Sequence, residues 1–121
     1  MLVVTRPDPS SFLPLKTDVF YILLAMSDRP RHGYGIISEA ESRSDGVVRL
    51  QTGALYRELR RLLHDGLIEV AGQPAGETST DERRRYYRPT KLGREVLEAD
   101  VARMTRAVRI ARRAGAGRSA V

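Results

Sequence analysis

Arginine is the residue type in this 121-residue sequence whose spacing best suits chemistry on another molecule. Nineteen of the 21 basic residues are arginine, and the formal net charge is +6. Two clusters stand out, namely Arg57, Arg60 and Arg61, and the denser run Arg83-Arg84-Arg85. Because a guanidinium group binds phosphate and guanine through paired hydrogen bonds, this pattern favours an anionic partner such as nucleic acid. The alternative is that these arginines only face solvent.

Catalytic and metal-binding residue types are scarce. The sequence has two histidines and no cysteine, which excludes a thiol nucleophile, a thiolate metal site and a disulfide framework. It contains no phosphate loop and no convincing serine–histidine or paired-carboxylate arrangement. We therefore expect no enzyme activity, no metal and no cofactor, with His32 in a structural role.

The length and the apolar pattern restrict the class of protein. A chain of 121 residues allows one compact domain. No apolar run approaches the roughly 18 residues of a membrane span, and the first residues lack the features of a signal peptide. The sequence therefore predicts a cytoplasmic protein with no membrane partner.

The elements that must position the arginines follow from apolar spacing. Helical spacing predicts three helices, which are followed by a hairpin with a long tip and by one long terminal helix. The expected ranges are 16–27, 33–42 and 51–65 for the three helices, 67–71 and 84–88 for the strands, and 91–114 for the last helix.

The third helix is expected to have two unlike faces. Leu55, Leu59 and Leu62 form its apolar stripe, whereas Arg57 and Arg61 fall on the opposite face at 100° per residue. Thr52 is a candidate N-cap, and Asp65-Gly66 is a natural end. A basic face of this kind is typical of a helix that enters the major groove of DNA.

The last helix carries an apolar seam that one domain cannot cover. Leu97, Val101, Met104, Val108 and Ala111 recur at alternating four- and three-residue steps, as in a coiled coil. A second copy of the chain is the economical partner, and a dimer suits two-fold DNA sites. The predicted dimer interface comprises Phe12, Leu13, Phe20, Leu97, Val101, Met104, Val108 and Ala111.

This element order predicts a mainly α fold with a small β-hairpin, namely a winged helix-turn-helix with a long C-terminal dimerisation helix. The organisation is an N-terminal arm at 1–14, a DNA-binding domain at 15–90, the dimerisation helix at 91–114 and a disordered tail at 115–121. The residues predicted to contact DNA are Tyr34, Gln51, Thr52, Ala54, Tyr56, Arg57, Arg60, Arg61, Arg83, Arg84 and Arg85.

Several of these residues also have a purely structural interpretation. Thr52 is equally explained as a helix cap, and Tyr34 as a half-buried core residue. Tyr56 has packing against the second helix as its alternative. At the level of the whole chain, the alternative to a DNA-binding regulator is a winged-helix module that binds protein and has no specific DNA binding.

Five segments in register resemble the PadR family of bacterial transcriptional regulators. They are Leu13-Pro14-Leu15 with Tyr21-Ile22-Leu23-Leu24-Ala25, then His32-Gly33-Tyr34-Gly35-Ile36, then residues 52–62, then Asp65-Gly66-Leu67-Ile68, and finally residues 84–93. The single C-terminal helix is similar to the short branch of the family. The resemblance implies a homodimeric repressor of double-stranded operator DNA.

The resemblance also implies a possible small-molecule ligand, because repression by some members of this branch is relieved by small aromatic or cationic compounds. A pocket for such a compound is expected from Phe20, Leu97, Val101 and Met104, with plain dimer packing as the alternative. Two departures from the family pattern bear on this expectation. Pro89 replaces a usually apolar residue in the second strand, and the chain has no tryptophan on which to build a ligand site.

Overall fold

The computed structural model describes residues 7–72 and 84–117. Its elements are a single 3-10 turn (Pro9–Phe12), α1 (Thr17–Ala25), α2 (Gly33–Arg43), α3 (Thr52–His64), β1 (Ile68–Ala71), β2 (Tyr86–Pro89) and α4 (Lys91–Arg113). The predicted fold class, mainly helical with a small antiparallel hairpin and a long last helix, is confirmed. The element ends agree with the predictions to within two residues.

One apolar core joins the three helices to the hairpin and to α4. Ile22 and Leu23 of α1 pack with Ile36 of α2 and Leu55 of α3, all with no exposed surface. Tyr87 of β2 belongs to the same core, because alternate side chains of a strand face the same side. The core therefore fixes the base of the hairpin against the three helices.

The hairpin strands pair antiparallel, with Ile68 opposite Pro89 and Ala71 opposite Tyr86. We call this hairpin the wing. The first strand begins one residue later than predicted, and the second runs from Tyr86 to Pro89. Pro89 ends the strand, where its missing N–H removes no central ladder bond.

A residue outside the two strands also pairs with β2. The Arg31 backbone N–H donates to the Tyr87 carbonyl at 3.0 Å, and the Tyr87 N–H donates to the Arg31 carbonyl at 2.9 Å. This pair ties the wing to the segment between α1 and α2, so the wing cannot shift without that segment.

α4 begins at a tight junction with the wing. The Thr90 side chain caps the helix by accepting a hydrogen bond from the Gly93 N–H at 3.1 Å. The first half of α4 packs on the 3-10 turn and on α1, whereas Val101 and Val108 in the second half are about half exposed.

Both ends of the described chain contain local hydrogen-bonded structure. In the N-terminal arm, Asp8 caps the 3-10 turn by accepting a hydrogen bond from the Ser10 N–H. Past α4, the Gly115 and Ala116 N–H groups donate to the Arg112 and Ala111 carbonyls, which closes the helix as a Schellman motif. The rest of the predicted tail, residues 118–121, lies outside the described residues.

Within residues 7–72 and 84–117, none of the helices is both long and apolar enough to cross a bilayer.

Candidate nucleic-acid interface

The outward face of α3 is basic. Gly53, Arg57, Arg60, Arg61 and His64 are all exposed, whereas Leu55, Leu59 and Leu62 of the opposite face are buried. The acid of this helix, Glu58, is half-buried, and its Oε2 has no hydrogen-bond partner among the described residues. The exposed face of α3 is therefore cationic without a compensating carboxylate on it.

The start of α3 differs from the prediction in one respect. Gln51, not Thr52, is the N-cap residue, and its side chain makes no capping hydrogen bond. Thr52 is the first helical residue, and both side chains are exposed. No acidic residue lies in the first turn. The N-terminal N–H groups of α3 thus remain open to an external anion.

α2 brings its N-terminus against α3. A Cβ atom added to Gly33 would lie 2.5 Å from the Tyr56 hydroxyl oxygen, so the two helices touch at this point. Tyr56 is half-buried there, as its structural interpretation requires. Tyr34, the next residue of α2, is 61% exposed, which excludes the interpretation as a core residue.

The wing approaches the same point from the other side. The His32 ring meets the Tyr86 ring edge-on, with centroids 5.3 Å apart. His32 also caps α2, because its Nδ1 accepts a hydrogen bond from the Gly35 N–H at 3.0 Å. The structural role predicted for His32 is therefore confirmed.

A groove separates the start of α2 from the wing. It encloses about 520 Å³, and its lining includes Arg29, Pro30, Gly72 and Tyr86. Arg84 and Arg85, which precede Tyr86, are exposed. Sequence reasoning missed Arg29, whose side chain is 70% exposed at this groove. Its only signal in the sequence is its position in the turn before the His32-Gly33 pair.

An ionic cluster behind this surface joins α1 to α2. Arg43 of α2 reaches Asp28 at 3.0 Å and Glu39 at 2.9 Å, and Arg31 reaches Asp28 at 3.3 Å. The hydrogen bond from the Arg43 side chain holds the pKa of Asp28 below its ordinary value. These arginines are engaged within the fold, unlike the exposed arginines on α3.

The structure places the predicted site residues as follows. Exposed DNA-binding candidates are Tyr34, Gln51, Thr52, Arg57, Arg60, Arg61, Arg84 and Arg85. Ala54 and Tyr56 are half-buried, and Arg83 lies outside the described residues, as does the hairpin tip at 73–82.

The predicted interface residues divide into two groups. Leu97 is only 9% exposed and belongs to the core of its own chain, and Phe12, Leu13 and Phe20 pack partly against that core. Val101 and Val108 are 45% and 49% exposed, with Met104 and Ala111 half-buried between and beside them. The open part of the seam therefore begins at Val101.

The fold combines three packed helices, a wing paired to the segment before α2 and a basic face on α3. This combination defines a winged helix-turn-helix protein of the DNA-binding class. The model of the PadR-like family of transcriptional regulators matches residues 22–99. This match covers most of the chain, so the chain belongs to the PadR-like family.

One curated relative and several solved structures are similar to this chain. An uncharacterised protein, protein X of Lysinibacillus sphaericus, is 32% identical over 76 residues, which is 63% of this chain and 67% of that protein. A PadR-like transcriptional regulator of Bacillus cereus has a similar structure, with a TM-score of 0.65 at 22% identity over 83% of this chain and 92% of that one.

Two further solved structures share the fold. A PadR family transcription regulator of Clostridium difficile has a TM-score of 0.61 at 24% identity, covering 80% of this chain and 95% of that one. A transcriptional regulator of Clostridium thermocellum has a TM-score of 0.60 at 19% identity, covering 92% and 97%.

Proposed function

We propose that this PadR-like regulator is a homodimeric repressor that binds a specific double-stranded operator and blocks transcription from it. One observation carries the proposal: the exposed cationic face of α3 adjoins the N-terminus of α2, which in turn contacts the root of the wing beside Arg84 and Arg85. These three elements present one basic surface, and the family membership supplies the regulatory context.

Each element has its own role in the proposed complex. α3 enters the major groove, where Arg57 reads a base edge. Arg60 and Arg61 lie farther along the helix and bind phosphate. The uncapped start of α3 at Gln51 and Thr52, together with the Tyr34 hydroxyl, binds the backbone that borders the groove. Ala54 is small enough to allow close approach.

The wing supplies contacts to the DNA backbone, which do not read the base sequence. Arg84 and Arg85 flank the root of β2 and bind phosphate beside the half-site, with Arg83 next to them in sequence. Tyr56 is assigned a mixed role. Its ring packs on Gly33, and its hydroxyl lies at the edge where α2 and α3 meet DNA.

The second copy binds through the seam of α4. Residues 15–90 form the DNA-binding domain and residues 91–114 the dimerisation helix, with the arm at 1–14 beside it. Val101 and Val108 are apolar and about half exposed, which supports a partner on this face. Two recognition helices related by a two-fold axis then read two half-sites.

A ligand is a secondary part of the proposal. The expected inducer is a small aromatic or cationic compound bound where Phe20, Val101 and Met104 meet the partner, beside Leu97. Thermal-shift screening of such compounds tests it, and a hit must also release DNA. A panel with no hit that does both removes the inducer from the proposal.

The main experiment is the selection of genomic fragments by the purified protein, followed by anisotropy titration on the selected operator and on random duplex. Arg57→Ala should weaken operator binding by about 1–3 kcal/mol and relax sequence preference. Arg84→Ala with Arg85→Ala should weaken binding to both duplexes and flatten the salt slope by about 0.9 for each lost phosphate contact.

The matched control is Arg106→Ala, an exposed arginine on α4 outside the proposed surface. It should bind operator as the unaltered chain does. Equal affinity of the unaltered protein for operator-derived and random DNA would contradict the proposal.

A further inference from the structure

Gly53 lies exposed in the first turn of α3, and the fold does not require a glycine there. Its backbone is helical. Apart from its own helix backbone, the described atom nearest to a Cβ added at Gly53 is Arg57 Nη1 at 3.9 Å. At Gly33, by contrast, an added Cβ would lie 2.5 Å from the Tyr56 hydroxyl oxygen. The missing side chain at residue 53 therefore affects the place of the Arg57 guanidinium and not the packing of the core.

Arg57 reaches Gly53 because of the direction that helical side chains take. The Cα–Cβ bonds of an α-helix tilt toward its N-terminus, so a long side chain covers the turn before its own Cα. The four residues from Gly53 to Arg57 rise by about 6 Å along the helix axis. The Arg57 guanidinium thus lies about one turn nearer to the start of α3 than the Arg57 backbone does.

The helix surface beneath Arg57 carries little side chain. The residues three and four positions before Arg57 are Ala54 and Gly53, whereas Arg60 has Arg57 and Tyr56 at the same spacings. The first turn of α3 also holds no acidic residue that could bind the guanidinium in an ion pair. Arg57 can therefore lie flat along the helix and keep its paired N–H donors for another molecule.

We infer that Gly53 is a positioning residue for Arg57 and thereby sets which base pair of the operator Arg57 reads. The inference rests on the proposed binding of α3 in the major groove. With no side chain at residue 53, the guanidinium lies against the first turn of α3, and the N-terminal residues of a recognition helix are those that contact base edges. There its two N–H donors pair with O6 and N7 of one guanine.

Two substitutions at Gly53 differ in the room that they leave for Arg57. Gly53→Ala adds the Cβ atom alone, and 3.9 Å from Arg57 Nη1 is an ordinary contact distance. Gly53→Ile adds three further carbon atoms, branched at Cβ, which displace the guanidinium. Alanine and isoleucine both favour a helix more than glycine does, so neither variant should lose stability, and urea unfolding checks this. Gly53→Ala is thus the matched control for Gly53→Ile.

Anisotropy titrations measure the effect on the selected operator and on duplexes in which each of its base pairs is changed in turn. Gly53→Ile should weaken operator binding about tenfold, and the loss should appear at the base pair that Arg57→Ala also affects. Gly53→Ala should bind operator within about twofold of the unaltered protein and keep its discrimination. Random duplex should bind all three proteins equally, because the contacts with phosphate are unchanged.

Combination with Arg57→Ala separates a positioning role from a direct contact between residue 53 and DNA. If Gly53 acts through Arg57, Gly53→Ile should change operator affinity by less than about twofold once residue 57 is alanine. The combined variant should then bind as Arg57→Ala alone does. A loss of about tenfold that persists in the combined variant would show that the isoleucine itself meets DNA, and it overturns the inference.

The remaining outcomes are equally distinct. A Gly53→Ile protein that binds and discriminates as Gly53→Ala does overturns the positioning role and leaves the DNA-binding function intact. A Gly53→Ala protein that loses affinity for operator and random duplex alike shows that DNA approaches Gly53 itself, which also overturns the inference. An unaltered protein with no preference for the selected operator over random duplex overturns the proposed function, and the inference with it.

Discussion

At the scale of single residues, the arginines divide by what surrounds them. Arg57 and Arg61 are exposed on α3, whereas Arg31 and Arg43 are enclosed by protein oxygen atoms. The Arg31 Nε donates to the Ala25 carbonyl at 2.8 Å, and the Arg43 Nη1 donates to the Leu24 carbonyl at 2.6 Å. Both carbonyls belong to the last turn of α1, beyond its regular helical hydrogen bonds, and the Leu24 carbonyl also accepts from the Ser27 N–H at 3.2 Å. The two side chains therefore bind the C-terminal carbonyl groups of α1, which does not end at a glycine.

Asp28 is the acid that this cluster perturbs, and its lowered pKa gives a pH prediction. A carboxyl group whose pKa falls on folding stabilises the fold above its unfolded value, and this contribution is lost as the pH falls through the folded pKa. The ordinary value is 3.8. Between pH about 5 and about 2, the unaltered protein should therefore lose more thermal stability than Asp28→Asn does.

Calorimetry across that range measures the difference. Asp65→Asn is the control, because Asp65 forms no ion pair within the described residues and should follow the unaltered curve. Parallel curves for the unaltered protein and Asp28→Asn would show that the pair with Arg43 adds nothing to stability.

At the scale of elements, two helical glycines differ in what surrounds them. A Cβ atom at Gly93 would overlap the Leu67 carbonyl oxygen, because α4 starts directly against the wing. A Cβ at Gly35 would meet only side-chain atoms of Arg31 and His32 at 3.6 Å, an ordinary contact distance. Only the first glycine is required by packing.

The same substitution should consequently have opposite effects at the two sites. Gly93→Ala should destabilise the protein by about 3 kcal/mol, since backbone must move to admit the methyl group. Gly35→Ala should stabilise it by roughly 0.5–1 kcal/mol through helix propensity. Urea unfolding of both variants measures the free energies. A neutral Gly93→Ala would contradict the close contact between α4 and the wing.

Local signals explain which elements the sequence could predict. The amphipathic α3 and its end at Gly66 depend on neighbouring residues, and both predictions are confirmed. The pairing of Arg31 with Tyr87 was not predicted, because a β-bridge between residues 56 positions apart produces no local periodicity in the sequence. The packing of Tyr56 against α2, which the sequence offered only as an alternative, depends likewise on Gly33 of another helix.

At the scale of the whole molecule, charge and apolar surface lie in different places. Residues 1–50 are neutral overall, whereas residues 83–121 carry a net +9. The basic excess is thus shared between the wing and the second half of α4, and both lie outside the core. In the proposed complex the first share binds DNA, and the second flanks the dimer seam.

Two exposed aliphatic residues on α4 allow the dimer to be tested without disturbing the core. Val108 is 49% exposed within the seam, and Ile110 is 56% exposed on a different face of the same helix. Val108→Asp should produce a monomer, because a buried unpaired carboxylate at the seam costs several kcal/mol. Ile110→Asp makes a comparable change of size and charge at a site that remains in solvent, so it should stay dimeric. Sedimentation measures this difference, and titration with the full operator should show that only Val108→Asp loses affinity, because a monomer engages one half-site at a time. If both variants bind the operator equally well, the half-sites are not read by one dimer.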